Sequence, residues 1–162
     1  MRDLSSAPPP DPGPGDHRRG SGAGEPIVMY ADFTCPQCAL AALELREAQA
    51  QTVFRHMAIA SRHRRAVPLA QAAEAAGAQG RFWEFHDALY EDQGRLDDPH
   101  LWERCRALGI DVERFEADRR APQVAEKVRE QTAAALRAGA TGTPSFLVGG
   151  SLTAELPPAP GG

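Results

Sequence analysis

The tetrapeptide Cys35-Pro36-Gln37-Cys38 is the stretch of this chain best suited to chemistry. Two thiols separated by two residues stand one turn apart when the segment opens a helix. That is close enough to form a disulfide, or for one thiol to resolve a mixed disulfide on the other. A helix N-terminus also presents unpaired N–H groups and roughly half a positive charge, which favour the thiolate, the attacking form. The same four residues are equally half of a zinc site. Context separates the two readings. A short apolar run precedes the motif, strong helix formers follow it, and no second CxxC occurs anywhere. Zinc would have to recruit Cys105 or a histidine from further along the chain. The second element is Gly142-Thr143-Pro144, far along the sequence at the entry to an apolar run. A proline there cannot donate to a strand ladder and marks an edge or a cis bond, with trans the isomer favoured by the residues alone.

The elements that would position these residues follow from patterning. Pro26 to Phe33 has the composition of a buried strand. Ala39 to Glu47 is rich in helix formers, and Pro36 suits a first turn. Thr52 to Ile59 alternates in part, as a second strand. Strand, helix and strand of this size make a βαβ unit, so the two strands are expected to be parallel. From about 66 to 139 the pattern is helical, with segments at Leu69–Gln79, Arg81–Asp92, Asp98–Leu108, Asp111–Arg119 and Pro122–Arg137. Asp98-Pro99 has the form of an N-cap followed by proline at the first helical position. Thr143 to Val148 is a third strand, Gly149-Gly150 a turn, and Ser151 to Glu155 a short final strand. Residues 1–24, with five prolines between Pro8 and Pro14 and five glycines between Gly13 and Gly24, are expected to be a disordered tail. Residues 156–162 are expected to be a second one, which leaves a domain over 25–155.

A length of 162 residues suits one domain with an embellishment. The formal charge of −4 argues against a nucleic-acid or anionic-membrane partner. No run approaches the roughly 18 apolar residues of a membrane helix, and the first 24 lack the apolar core of a secretory signal. The expectation is therefore a cytoplasmic protein. Three cysteines cannot form a fully paired disulfide scaffold.

The segments DHRRG from Asp16, YADFTCPQC, AAEAAGAQGRFWEFHDALY and GATGTPSFLVGG together resemble the DsbA-like thiol–disulfide oxidoreductases of the thioredoxin superfamily. The likeness covers roughly residues 16–152. It implies an α/β thioredoxin-like fold with an inserted helical subdomain, and no cofactor or metal. It implies that Cys35 is the exposed attacking thiol and Cys38 the buried resolving one. It further implies that Pro144 is cis beside the dithiol, and that the Thr143 backbone offers an edge to an extended substrate. Pro36 and Gln37 would complete the substrate-facing surface. The implied partners are protein or peptide thiols and disulfides, and an electron donor or acceptor protein.

The sequence departs from that family in two places. Gln37 stands where strongly oxidising members carry histidine, so a less depressed thiol pKa and a less oxidising couple are expected. The chain also ends in a proline-rich stretch where the family has a C-terminal helix, so that helix is expected to be missing here. One sheet face is then expected to be bare, which would invite a partner or self-association. A second reading is a non-catalytic redox-sensing or protein-binding module, since domains with this DHxxG-type lead-in also occur joined to sodium–proton antiporters. Asp32 is either a tuner of the thiol or a turn acid. His86 is expected to be a satisfied helix-face histidine, Cys105 a small packing residue, and Arg62-His63-Arg64-Arg65 a solvated loop.

Overall fold

The structure, a computed structural model, describes residues 7–158. They divide into two compact units, one made of the chain up to Met57 together with Glu130 onward, the other of Ala58–Arg129.

The first unit is built on a five-stranded sheet. Its strands are β1 (His17–Arg19), β2 (Ile27–Ala31), β3 (Thr52–His56), β4 (Ser145–Val148) and β5 (Ser151–Thr153), in the order β1-β3-β2-β4-β5. Helix α1 (Pro36–Glu47) connects β2 to β3. These two strands run parallel, from Ile27 opposite Thr52 to Ala31 opposite His56, as a βαβ unit requires. β4 pairs antiparallel with β2, and β5 antiparallel with β4. The turn into β5 is Gly149-Gly150 with φ of +56° and +82°, the tight hairpin geometry that glycine reaches without strain.

Two expectations need correction in this unit. Residues 17–19 are not part of a disordered tail, because β1 pairs antiparallel with β3, His17 opposite Phe54 and Arg19 opposite Thr52. Asp16 anchors it. Its carboxylate receives both Nε (2.9 Å) and an Nη (3.0 Å) of Arg55, whose other Nη donates to the Tyr30 hydroxyl at 3.0 Å. Gly20 then passes so close to the next segment that a Cβ would stand 1.9 Å from the Ala50 carbonyl oxygen. The outer parts of the two expected tails, 1–6 and 159–162, lie outside the described residues. The second correction concerns the bare sheet face. Side chains alternate across a sheet, so a bare face would expose every second residue of the central strands. Every residue of β2 and β3 is instead buried, as are Ser145, Phe146 and Leu147 of β4. Exposure is confined to the edge strands β1 and β5. The described chain from Ala154 to Pro158 forms no helix.

The second unit is helical: α2 (Ala66–Gly77), α3 (Phe82–Glu91), α4 (Asp98–Ala107), α5 (Val112–Asp118) and the start of α6 (Pro122–Arg137). The alanine-rich α2 buries Leu69, Ala70, Ala72, Ala73, Ala75 and Ala76. Phe85 and Phe115 meet at 5.6 Å between ring centroids. The expected cap of α4 shifts by one residue. Asp97 occupies the extended cap position and Asp98 is already helical. Asp98 is drawn away to a different task, receiving Arg65 at 3.0 Å and two nitrogens of Arg119 at 3.1 and 3.2 Å. Those bonds, from Arg119 first, hold its carboxyl below the usual range.

Candidate active site

The dithiol is positioned by the strand that precedes it and the helix that follows. At the end of β2, Asp32 makes a local turn, its Oδ1 accepting from the Thr34 backbone N–H (2.8 Å) and hydroxyl (2.9 Å). The Asp32 carbonyl accepts from the Cys35 N–H at 3.2 Å. Behind the turn, the Phe33 ring stacks on Phe54 at 5.2 Å and packs against His56 at 6.2 Å. The chain then enters α1 with Cys35 as the N-cap, φ −89° and ψ 116°, and Pro36 in the first turn. Cysteine here does the work of a capping serine. Its Sγ accepts the Cys38 N–H at 3.1 Å, satisfying one of the orphan donors of the helix start.

The two thiols differ sharply in surroundings. Both are free, Cys35 partly exposed and Cys38 fully buried. The Cys35 pKa is lowered to about 6, chiefly by the hydrogen bond that the Cys38 side chain gives it. Burial opposes this; a hydrogen bond from the Thr143 side chain and the Cys38 backbone N–H assist. The Cys38 thiol is pushed well above the ordinary range, first by burial and then by its bond to Cys35. One thiol is thus poised to ionise at neutral pH while its neighbour keeps its proton. Asp32 serves the turn through its side-chain oxygen, and its charge raises the Cys35 pKa, opposing the thiolate.

Thr143 and Pro144 come from the opposite end of the sequence. The Thr143–Pro144 bond is cis. The Thr143 carbonyl lies 3.7 Å from the Cys35 Sγ and accepts from its thiol. Ser145 ties this loop down, its hydroxyl donating to the Gly142 carbonyl at 2.6 Å. The structure therefore brings together Cys35, Cys38 and Thr143, with Pro144 adjoining, and leaves Pro36 and Gln37 exposed at the helix tip. Thr34 and Ser145 are supports that the motifs alone do not single out. Their signals are local: Asp-x-Thr is an Asx-turn pattern, and Ser145 directly follows the proline. Among the described residues no three His, Cys, Asp or Glu side chains come together to hold a metal ion.

The remaining candidates are accounted for within the helical unit. Cys105 is fully buried in α4, and burial lifts its pKa to about 11, the surroundings of a packing residue. His86 is buried, 2.8 Å from the Asp87 carboxylate and ringed by Phe82, Trp83 and Tyr90.

The family model described as a DSBA-like thioredoxin domain matches residues 26–160. The chain belongs to that family. DsbA-like structures resemble it over most of its length. A thioredoxin-like oxidoreductase from Silicibacter pomeroyi DSS-3 superposes with a TM-score of 0.78 at 29% identity, covering 87% of this chain and 84% of that one. The thiol-disulfide exchange protein alpha-DsbA2 of Wolbachia pipientis gives 0.74 at 18% identity, covering 88% and 80%, a likeness of fold. Among curated proteins the DsbA-like segment is similar to part of the Na(+)/H(+) antiporter NhaA 1 of Salinispora arenicola (strain CNS-205). That match is 39% identical over 144 residues, 83% of this chain but 22% of the antiporter. The antiporter NhaA of Herminiimonas arsenicoxydans matches similarly, at 39% over 150 residues and 24% of its length. The chain thus spans about a quarter of these relatives. No helix among the described residues is long and apolar enough to cross a membrane.

Proposed function

We propose that this DsbA-like domain is a thiol–disulfide oxidoreductase working on protein or peptide substrates through Cys35 and Cys38. The observation that carries the proposal is the asymmetry of the pair. Cys35 is partly exposed, capped by the Cys38 N–H at 3.1 Å and ionised at a pKa of about 6, beside a buried Cys38 that stays protonated. In the reducing direction the Cys35 thiolate attacks a substrate sulfur and expels the other as a thiolate. Cys38 then attacks Cys35, its proton leaving to solvent. The substrate departs as two thiols and the domain as the Cys35–Cys38 disulfide, two electrons having passed. The oxidising direction is the reverse, and a partner protein resets the pair. Thr143, Pro36 and Gln37 border the attacking sulfur and receive the substrate, the Thr143 backbone by strand-like pairing.

Insulin reduction in the presence of dithiothreitol tests this. Wild type should accelerate precipitation of the insulin B chain, and Cys35→Ser should not; equal rates would refute the proposal. The second reading, a redox-responsive module joined to an ion transporter, is favoured by one observation. The curated relatives are antiporters of which this chain matches 22–24%. On that reading the dithiol senses redox state for a transporter. A domain that cycles between dithiol and disulfide yet leaves insulin intact would support it.

A further inference from the structure

Among the described residues three large apolar side chains are strongly exposed: Leu40 at 64%, Leu43 at 49% and Leu136 at 48%. Two of the three stand on α1, immediately beyond the dithiol. Helical positions three and four apart share a face, so Pro36, Leu40, Leu43, Glu44 and Glu47 form one stripe. All five are exposed, while Cys38, Ala41, Ala42 and Leu45 bury the opposite side. A surface helix ordinarily presents polar residues to solvent. Here the outward face is apolar where it adjoins the reactive tetrapeptide and acidic only at its far end. A single exposed leucine needs no explanation. Two neighbouring ones, continuous with the proline between the two cysteines, mark a contact surface.

The dimensions define what fits. At about 1.5 Å rise per residue, Leu40 lies about 6 Å, Leu43 about 10 Å and Glu47 about 16 Å beyond Pro36 along the helix. An extended peptide advances about 3.3 Å per residue. A segment whose cysteine sits at Cys35 therefore lays its second or third flanking residue over Leu40 and Leu43, and about its fifth over Glu47. We infer that the outward stripe of α1 selects substrates: peptide segments with an apolar side chain two or three residues from the reactive cysteine and Lys or Arg about five residues from it. This rests on the thiol-exchange reading above. Charge complementarity supports the choice of occupant. The helix has no acidic residue in its first turn, Glu44 and Glu47 are exposed at the far end, and Arg46 stands on the flank of the stripe.

The test uses the full chain, reduced, and two synthetic peptides carrying their single cysteine as a mixed disulfide with nitrothiobenzoate. One peptide has Leu at the third and Lys at the fifth position on both sides of the cysteine; the other has Ser and Glu there. The Cys35 thiolate attacks the peptide sulfur, the coloured nitrothiobenzoate thiolate leaves, and Cys38 releases the peptide thiol as the Cys35–Cys38 disulfide forms. Each rate is divided by the rate with Ellman's reagent, which carries no peptide. The wild-type ratio should favour the Leu/Lys peptide at least about tenfold. Leu40→Ser/Leu43→Ser should remove most of that preference, and Glu44→Lys/Glu47→Lys should turn the charge preference toward Glu. Equal ratios for the two peptides on wild type would overturn the inference. Failure of Ellman's reagent to react at neutral pH would instead overturn the assignment of Cys35 itself, and the selectivity with it.

Discussion

On the proposed reading Cys35 owes its reactivity to its immediate neighbours. It stands at a helix start and accepts a hydrogen bond from a second thiol. Its lowering to about 6 comes from hydrogen bonds, chiefly that of the Cys38 side chain, rather than from an adjacent cation. The exposed neighbour is the neutral Gln37. A rate of alkylation by iodoacetamide follows the thiolate fraction. It should therefore be small below pH 6, rise through a midpoint near 6, and be nearly flat by neutral pH. A midpoint near the ordinary thiol value of about 8.5 would contradict the account. Cys38→Ala removes the principal donor, and its midpoint should move up toward that ordinary value. Serine at the same place keeps a hydroxyl donor and should shift it less.

At the scale of elements, the fold is held in register by features of unequal visibility. The βαβ unit was legible because apolar runs and helix formers are local patterns, and CPQC between them marks the candidate site. The approach of Thr143 to Cys35 came only through family likeness, since nothing local links residues 108 positions apart. β1 was invisible for the same reason. Proline and glycine around it dominate the composition, while the strand it pairs with and the Arg55 that holds Asp16 come later in the chain, Arg55 39 residues away. The cap of α4 slipped because two adjacent aspartates compete, and arginines elsewhere decide between them. Asp16 and Arg55 are 9% and 4% exposed at their side chains, so breaking the pair strands a buried guanidinium. Asp16→Ala should cost about 3 kcal/mol in denaturant unfolding. Adding Arg55→Leu to it should recover part of that loss. A cost below about 0.5 kcal/mol for the single variant would show that β1 is not anchored there.

For the molecule as a whole, three thiols occupy three environments, and the distinction can be read at once. Brief maleimide labelling of the reduced native protein at pH 7, followed by intact mass, should show one rapid addition, at Cys35. Cys38 and Cys105 are buried with raised pKa values and should label only as the chain unfolds. Rapid addition at Cys105 would place that thiol at an accessible surface and contradict its packing role. The burial of both faces of β2 and β3 likewise removes the reason for expecting self-association through the sheet. The central claim, that Cys35 attacks and Cys38 resolves, is tested most directly by trapping. Cys38→Ala incubated with a disulfide-bonded substrate such as insulin should accumulate a covalent adduct, cleaved by dithiothreitol and mapped by peptide mass to Cys35. Wild type should pass through it without accumulation. An adduct on Cys105, or none at all, would contradict the account.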